Sequence, residues 1–193
     1  MALILASTSP IRRQMLDSAG ISCEAVKPDV DEAEAKGRLN DAPAIASELA
    51  AAKALSVSNK RPGDWVIGSD SVVSAGGRLF EKPKDREEAA KHLRFFSARP
   101  MHLTSAVALA RDSVFEWRHT ETAALMVRPL SDAFIAQYLD AEWPEVGYTV
   151  GVFRLEGRGV QLFDRIEGDH FTILGMPLLP LLGALRERGL IAS

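Results

Sequence analysis

One cysteine, Cys23, in 193 residues rules out an internal disulfide and any multi-cysteine metal centre. Cys23 reads as a small hydrophobe in a strand. Long apolar runs are also missing. The richest stretch, 173–185, is broken by Gly175, Pro177, Pro180 and Gly183, well short of the roughly 20 residues that a membrane span needs. Arg12 and Arg13 interrupt the first apolar stretch, with the charges on the wrong side for a secretory signal, so a cytoplasmic protein is expected. There is no basic excess: a net charge of −3 argues against broad nucleic-acid binding. Neither a phosphate-binding Gly-Lys-Ser/Thr loop nor a dinucleotide glycine fingerprint occurs, and no serine sits in a nucleophile elbow. The four histidines show no ligand spacing. His92, His102 and His119 read as structural, and His170 as a loop residue that could line a cleft. No repeat, low-complexity tract or linker is present.

What is there is an ordinary globular composition, 47% hydrophobic and 25% charged, enough for one sizeable core or two small lobes sharing a cleft. Apolar Leu3–Ala6 predicts a strand, and Pro10 a helix start with Ser9 as N-cap and Gly20 as its stop. A strand over 22–26 leads to an acidic loop, 28–32, and then a helix from about 42 to 58. Trp65–Gly68 reads as a short buried strand ending at Ser69-Asp70-Ser71; Val72-Val73 continues extended into a hairpin turn at Gly76-Gly77, with Arg78 to Glu81 returning. A helix from Asp85 to about Phe96 precedes an antiparallel pair, 102–110 and 114–127, turning near Arg111-Asp112. Ser131 caps a helix to about 141, strand-like pieces follow Gly147 through Ile166, and a last helix covers about 178–188. Interleaved helices and strands with hairpins predict a mixed α/β (α+β) fold: a long mixed sheet with flanking helices, forming two lobes around a cleft.

Several residues carry chemistry. Ser7, Thr8 and Ser9 precede a helix whose first turn holds Arg12 and Arg13, where the dipole already favours an anion. Hydroxyls, backbone N–H groups and guanidinium groups all donate to phosphate. A pair of solvated surface arginines is the plainer alternative, and the segment alone leaves both open. Ile45, Leu49, Lys53 and Val57 form one row on their helix, which puts Lys53 on or beside the buried stripe. It either snorkels to water or points into a site. Asp70 could accept a proton from water or hold a divalent cation, or be a turn residue bonded to its own backbone. Lys82 projects from a segment stiffened by Pro83. Asp29, Asp31 and Glu32 offer hard oxygens suited to magnesium, or a solvated loop.

Taken together these motifs resemble the Maf family of nucleotide pyrophosphatases. The likeness rests on Leu5-Ala6-Ser7-Thr8-Ser9-Pro10-Ile11-Arg12-Arg13, Pro28–Glu32, Leu49–Ala54 with Lys53, Ile67–Val72 with Asp70, Glu81-Lys82-Pro83, and Gly168 through Leu178. It covers almost the whole chain, residues 1–193, as a single Maf/ITPase-like domain. The resemblance implies hydrolysis of a nucleoside triphosphate to the monophosphate and pyrophosphate with a divalent cation, Mg²⁺ or Mn²⁺, in a house-cleaning role. By the same resemblance Ser7, Arg12, Arg13, Lys53 and Lys82 contact phosphate, Asp70 accepts the proton, and Glu32 with Asp70 serves the metal.

Substrate choice falls on Ile11, Ser71 and Glu156. The dTTP/UTP branch usually has arginine, threonine and glutamine at these places. Glu156 resembles the 7-methyl-GTP branch, which generally carries tryptophan and glutamine where this chain has Ile11 and Ser71. Loss of the tryptophan removes a stacking surface for a cationic base. The resemblance leans to the 7-methyl-GTP side, with a small-molecule nucleotide as partner, no nucleic acid, no membrane and a homodimer. A nucleotide-binding regulator of cell division or septum formation is the alternative.

Overall fold

The computed structural model describes residues 1–192. In chain order its elements are β1 (Leu3–Ala6), α1 (Pro10–Ser18), β2 (Glu24–Val26), α2 (Glu32–Arg38), α3 (Ala42–Ser58), β3 (Trp65–Ala75), β4 (Arg78–Phe80) and α4 (Arg86–Phe96). There follow β5 (Pro100–Arg111), β6 (Val114–Val127), α5 (Asp132–Glu142), β7 (Phe163–Glu167), α6 (His170–Ile173) and α7 (Leu178–Glu187). The strands make one seven-stranded mixed sheet, ordered β2-β1-β3-β5-β6-β7, with β4 also on β3. β1 runs parallel to both β2 and β3, whereas β3–β4 and β6–β7 are antiparallel. The mixed α/β class read from the sequence is the class observed.

The chain divides into two compact units. The first holds Met1–Ser71, Thr104–Glu121 and the segment from Asp169 onward. Its core gathers Leu5, Leu16, Ile67, Leu109, Met176 and Leu185. α1 begins at Pro10, whose missing N–H costs nothing there. It ends in a Schellman motif at Gly20, φ +74°, where Ile21 N–H reaches Leu16 O and Gly20 N–H reaches Asp17 O. α3 starts from Asp41, whose side chain accepts from Ala44 N–H, and buries Ile45, Leu49, Lys53 and Val57 along one row.

The second unit holds Val72–Leu103 and Thr122–Gly168. Gly76 and Gly77, φ +55° and +74°, turn β3 into β4 as the sequence predicts. Phe80 packs its ring against His92, Phe95 and Phe96. The buried Tyr138 hydroxyl donates to Val152 O at 3.0 Å, anchoring the segment that leads to Glu156.

Four local expectations are corrected. The acidic loop is in part a helix: Asp31 accepts from Ala33 N–H and starts α2. The break expected at Ser69-Asp70-Ser71 is absent: β3 runs unbroken to Ala75, and its far half pairs with β4 through Val73, Ser74 and Ala75 in the expected hairpin. Between 147 and 166 the chain is 3₁₀ turn at each end of a loop over 149–157, with β7 the single strand there. Ser9 holds the N-cap position of α1 but makes no side-chain cap. Its own N–H instead donates to Ser7 Oγ at 3.1 Å.

Candidate active site

The site is assembled where β1 and β3 run side by side in the first unit. Ala6 lies opposite Gly68, so Ser7 leaves β1 one step beyond that pair. Gly68 is the residue that brings α3 in. A Cβ placed on it would stand 2.1 Å from Ala50 O and 2.6 Å from Ala54 N, so the helix backbone lies directly on the strand. Side chains alternate along a strand, so Asp70 shares the face of Gly68, turned toward α3. Lys53, one residue before Ala54, meets it there. Lys53 Nζ donates to Asp70 Oδ1 at 2.5 Å and ion-pairs with Glu32 Oε1 at 2.7 Å. The sequence expectation of a lysine on the buried stripe is met, and the side chain points into the site rather than snorkelling out: Lys53 is 8% exposed and Asp70 6%.

Burial acts to raise the Glu32 carboxyl, but the ammonium groups of Lys53 and Lys36 outweigh it and hold the group below its ordinary value. Glu32 and Asp70 touch the same ammonium, so their oxygens are no more than two hydrogen-bond lengths apart. Two adjacent carboxylates of this kind are the hard-oxygen donor set that a magnesium-like cation takes together with water and phosphate oxygens. The residues present therefore fit a divalent ion.

Arg12, from α1, is clamped by acceptors. Its Nε donates to Gly175 O at 2.9 Å, Nη1 to Ser69 O at 2.9 Å and Nη2 to Ser71 Oγ at 3.0 Å. A guanidinium has five N–H groups, so each Nη keeps one beyond these bonds. Burial lowers the Arg12 pKa from its ordinary value, and the charges of Asp70 and Glu32 oppose that. Arginine stays charged under such shifts. Arg12, Lys53, Glu32 and Asp70 thus form one balanced electrostatic group. Such a group can exchange its internal partners for a polyanion.

Arg13 is separated from this group. Neighbouring helix residues do not face one another, and Arg13 points outward to Asp17, with Nε 3.6 Å from Oδ2. Ser7 is buried, and its oxygen accepts from Ser9 N–H. Ile11 is half-buried beside Arg12 on α1. Ser71 Oγ is bonded within the site, accepting from Arg12 and lying 2.8 Å from Ser105 Oγ. Lys82 and Glu156 belong to the second unit, each exposed, with Glu156 ion-paired to Arg154 at 3.5 Å. His170 is exposed at the start of α6. Asp29 lies 3.5 Å from Lys60, and Asp31 is spent as a cap.

Residues that sequence reasoning passed over are Gly68, Ser69, Ser105 and Thr172. Ser69 Oγ donates to Gly175 O at 3.0 Å, and Ser105 Oγ to Thr172 O at 2.8 Å. A usable signal existed for one of them: Thr104 and Ser105 are hydroxyls inside the otherwise apolar Leu103–Ala110 run, and both are buried.

Comparison with known proteins adds a second kind of finding. The family described as Maf-like protein matches residues 2–188. A 7-methyl-GTP pyrophosphatase of Rhizobium etli is 48% identical over 193 residues, 98% of this chain and 97% of that protein. A nucleoside triphosphate pyrophosphatase of Sphingopyxis alaskensis is 47% identical over 195 residues, covering 98% of each chain. A 7-methyl-GTP pyrophosphatase of Brucella suis is 44% identical over 189 residues, 96% of this chain and 95% of that one. A solved nucleoside-triphosphatase / dITP/XTP pyrophosphatase from Mycobacterium abscessus overlaps 67% of this chain and 76% of its own, at 19% identity and a TM-score of 0.40.

Proposed function

Because the chain belongs to the Maf-like protein family, we propose that it is a nucleoside-triphosphate pyrophosphatase. It hydrolyses its substrate to the nucleoside monophosphate and diphosphate, and the substrate is 7-methyl-GTP. The observation that carries the chemistry is the Lys53 ammonium held between Asp70 at 2.5 Å and Glu32 at 2.7 Å. Water attacks the α-phosphorus in line, and diphosphate leaves as negative charge builds on it. Arg12 and Lys53 face that growing charge, with Ser7 donating its hydroxyl, so they favour the transition state over bound substrate. Arg13 and Lys82 are the further phosphate contacts of this reading. Asp70 takes the proton of the attacking water. Its Oδ1 is engaged by Lys53, so the proton goes to Oδ2. A divalent cation, Mg²⁺ or Mn²⁺, held by Glu32 and Asp70, would neutralise phosphate oxygens and orient the reacting groups when bound.

The base reading rests on two supports, the names of relatives at 44–48% identity and the carboxylate of Glu156, which suits a base carrying positive charge. Ile11 and Ser71 complete the expected specificity set. The chain acts as one functional domain, in the cytoplasm, as a homodimer, removing a modified nucleotide.

The test is a panel of 7-methyl-GTP, GTP, dTTP, UTP and CTP with Mg²⁺, with products separated by anion exchange. 7-Methyl-GTP should be cleaved fastest, giving 7-methyl-GMP and diphosphate. Release of orthophosphate would overturn cleavage at the α-phosphorus, and turnover of none of the five would overturn the activity and favour a non-catalytic regulator. Faster cleavage of dTTP or UTP would overturn the substrate alone.

A further inference from the structure

Ser105 has no place in the reaction just described, yet it lies wholly buried in β5 at the end of a chain of hydroxyls. The directions of those bonds can be worked out from the acceptors available. Gly175 O has two lone pairs, and Arg12 Nε at 2.9 Å and Ser69 Oγ at 3.0 Å occupy them. Ser71 Oγ is also placed to donate to that oxygen at 3.1 Å, but Ser105 Oγ at 2.8 Å is the closer and less crowded acceptor. Ser105 gives its own hydrogen to Thr172 O at 2.8 Å, which leaves its lone pairs facing Ser71. The end of the chain is fixed in turn. Thr172 N–H donates to Asp169 Oδ1 at 3.0 Å, and Thr172 Oγ1 to Glu121 Oε2 at 2.6 Å.

We propose that Ser105 is a positioning residue for Arg12. It draws the Ser71 hydroxyl hydrogen toward itself, so that the Ser71 lone pairs face Arg12 Nη2 at 3.0 Å. The order of donation is Arg12 to Ser71 to Ser105 to Thr172, and each bond polarises the next. Without the Ser105 oxygen, the Ser71 hydrogen competes for Gly175 O against two donors already there. Ser71 then turns away from Arg12, and the guanidinium loses one of its three anchors. Ser71 on this account also serves the phosphate end of the substrate, through Arg12. The inference rests on the reading that Arg12 holds substrate phosphate.

The experiment compares Ser105→Ala, Ser71→Ala and the double variant in two measurements. One is hydrogen exchange of the Arg12 Nε–H by ¹⁵N NMR, which reports the hold on the guanidinium whatever the protein acts on. The other is KM and kcat for 7-methyl-GTP. Ser105→Ala should speed Arg12 exchange and lower kcat/KM by about tenfold each, roughly the worth of one hydrogen bond to a charged group, with the kinetic loss falling mainly on kcat because Arg12 favours the transition state. In the Ser71→Ala background it should add nothing further. Unchanged exchange in Ser105→Ala, or effects of the two substitutions that multiply, overturns the proposal. Faster exchange in a protein that turns over no nucleotide would uphold the positioning and sink the pyrophosphatase reading instead. If Ser105→Ala does not fold, Ser105→Cys, of similar volume and weaker acceptor strength, carries the same test: wild-type exchange refutes the proposal and faster exchange supports it.

Discussion

Replacing Lys53 with methionine removes the one cation that two carboxylates share. The side chains of Lys53 and Asp70 are 10% and 9% exposed, so their pairing is a buried one. Removing one partner of a buried pair costs about 3–5 kcal/mol, because the remaining charge stays buried without compensation. The Glu32 side chain is 43% exposed, and water screens that contact to under about 1 kcal/mol. Lys53→Met should therefore lose about 3–5 kcal/mol at pH 8, a large part of a typical domain stability of about 5–15 kcal/mol. The pH dependence has a definite sign. In the wild type the Glu32 carboxyl is held low, so its stabilising contribution is full above the unfolded carboxyl value and is lost as pH falls through the folded one. In the variant the Lys53 ammonium no longer lowers that carboxyl, leaving burial against Lys36 alone, so its folded value moves back up and the share of the deficit it carries, under about 1 kcal/mol, is relieved by protonation. The deficit should shrink between pH 8 and pH 5. Urea unfolding at both pH values measures it. A difference below about 1 kcal/mol at pH 8, or one that grows on acidification, would refute the reasoning.

Three further outcomes follow from the same geometry. Gly68→Ala must push β3 from α3, since its Cβ would meet Ala50 O at 2.1 Å; we expect about 1–3 kcal/mol of lost stability by thermal melting, with activity falling further as Lys53 and Asp70 separate. Arg12→Ala should abolish most of kcat/KM, whereas Arg13→Ala, whose partner is the exposed Asp17, should raise KM with kcat and stability nearly intact; steady-state kinetics on the two variants separates them, and equal losses would contradict the division of roles. Glu156→Gln should reduce kcat/KM for 7-methyl-GTP more than for GTP; equal reductions would take Glu156 out of base selection.

Part of this molecule can be read directly from residue order. The row Ile45, Leu49, Lys53, Val57 announces a helix with a lysine on its buried side, and α3 has it there. Pro10 and Gly20 bracket α1 for local reasons of backbone chemistry. Asp70 is identifiable as a carboxylate in an apolar run, but not as a residue inside a strand. β3 passes through it unbroken into the half that pairs with β4, a continuity that no local propensity expresses. The seven-residue α2, with Gly37 inside it, has too little periodicity to stand out from a polar loop. The clamp on Arg12 is invisible for a different reason. Two of its three acceptors are backbone carbonyls, Ser69 O and Gly175 O, and a carbonyl leaves no side-chain signature. Arg13 illustrates the converse, since adjacent arginines look equivalent in sequence while the helix turns them apart.

The most direct trial of the central claim is hydrolysis in ¹⁸O-labelled water by the wild type and by Asp70→Asn. The wild type should place one labelled oxygen in the nucleoside monophosphate and none in diphosphate, and Asp70→Asn, folded to the same extent, should be slower by about 10²- to 10⁴-fold. Label appearing in the diphosphate, or a variant as fast as the wild type, would contradict attack at the α-phosphorus with Asp70 as proton acceptor.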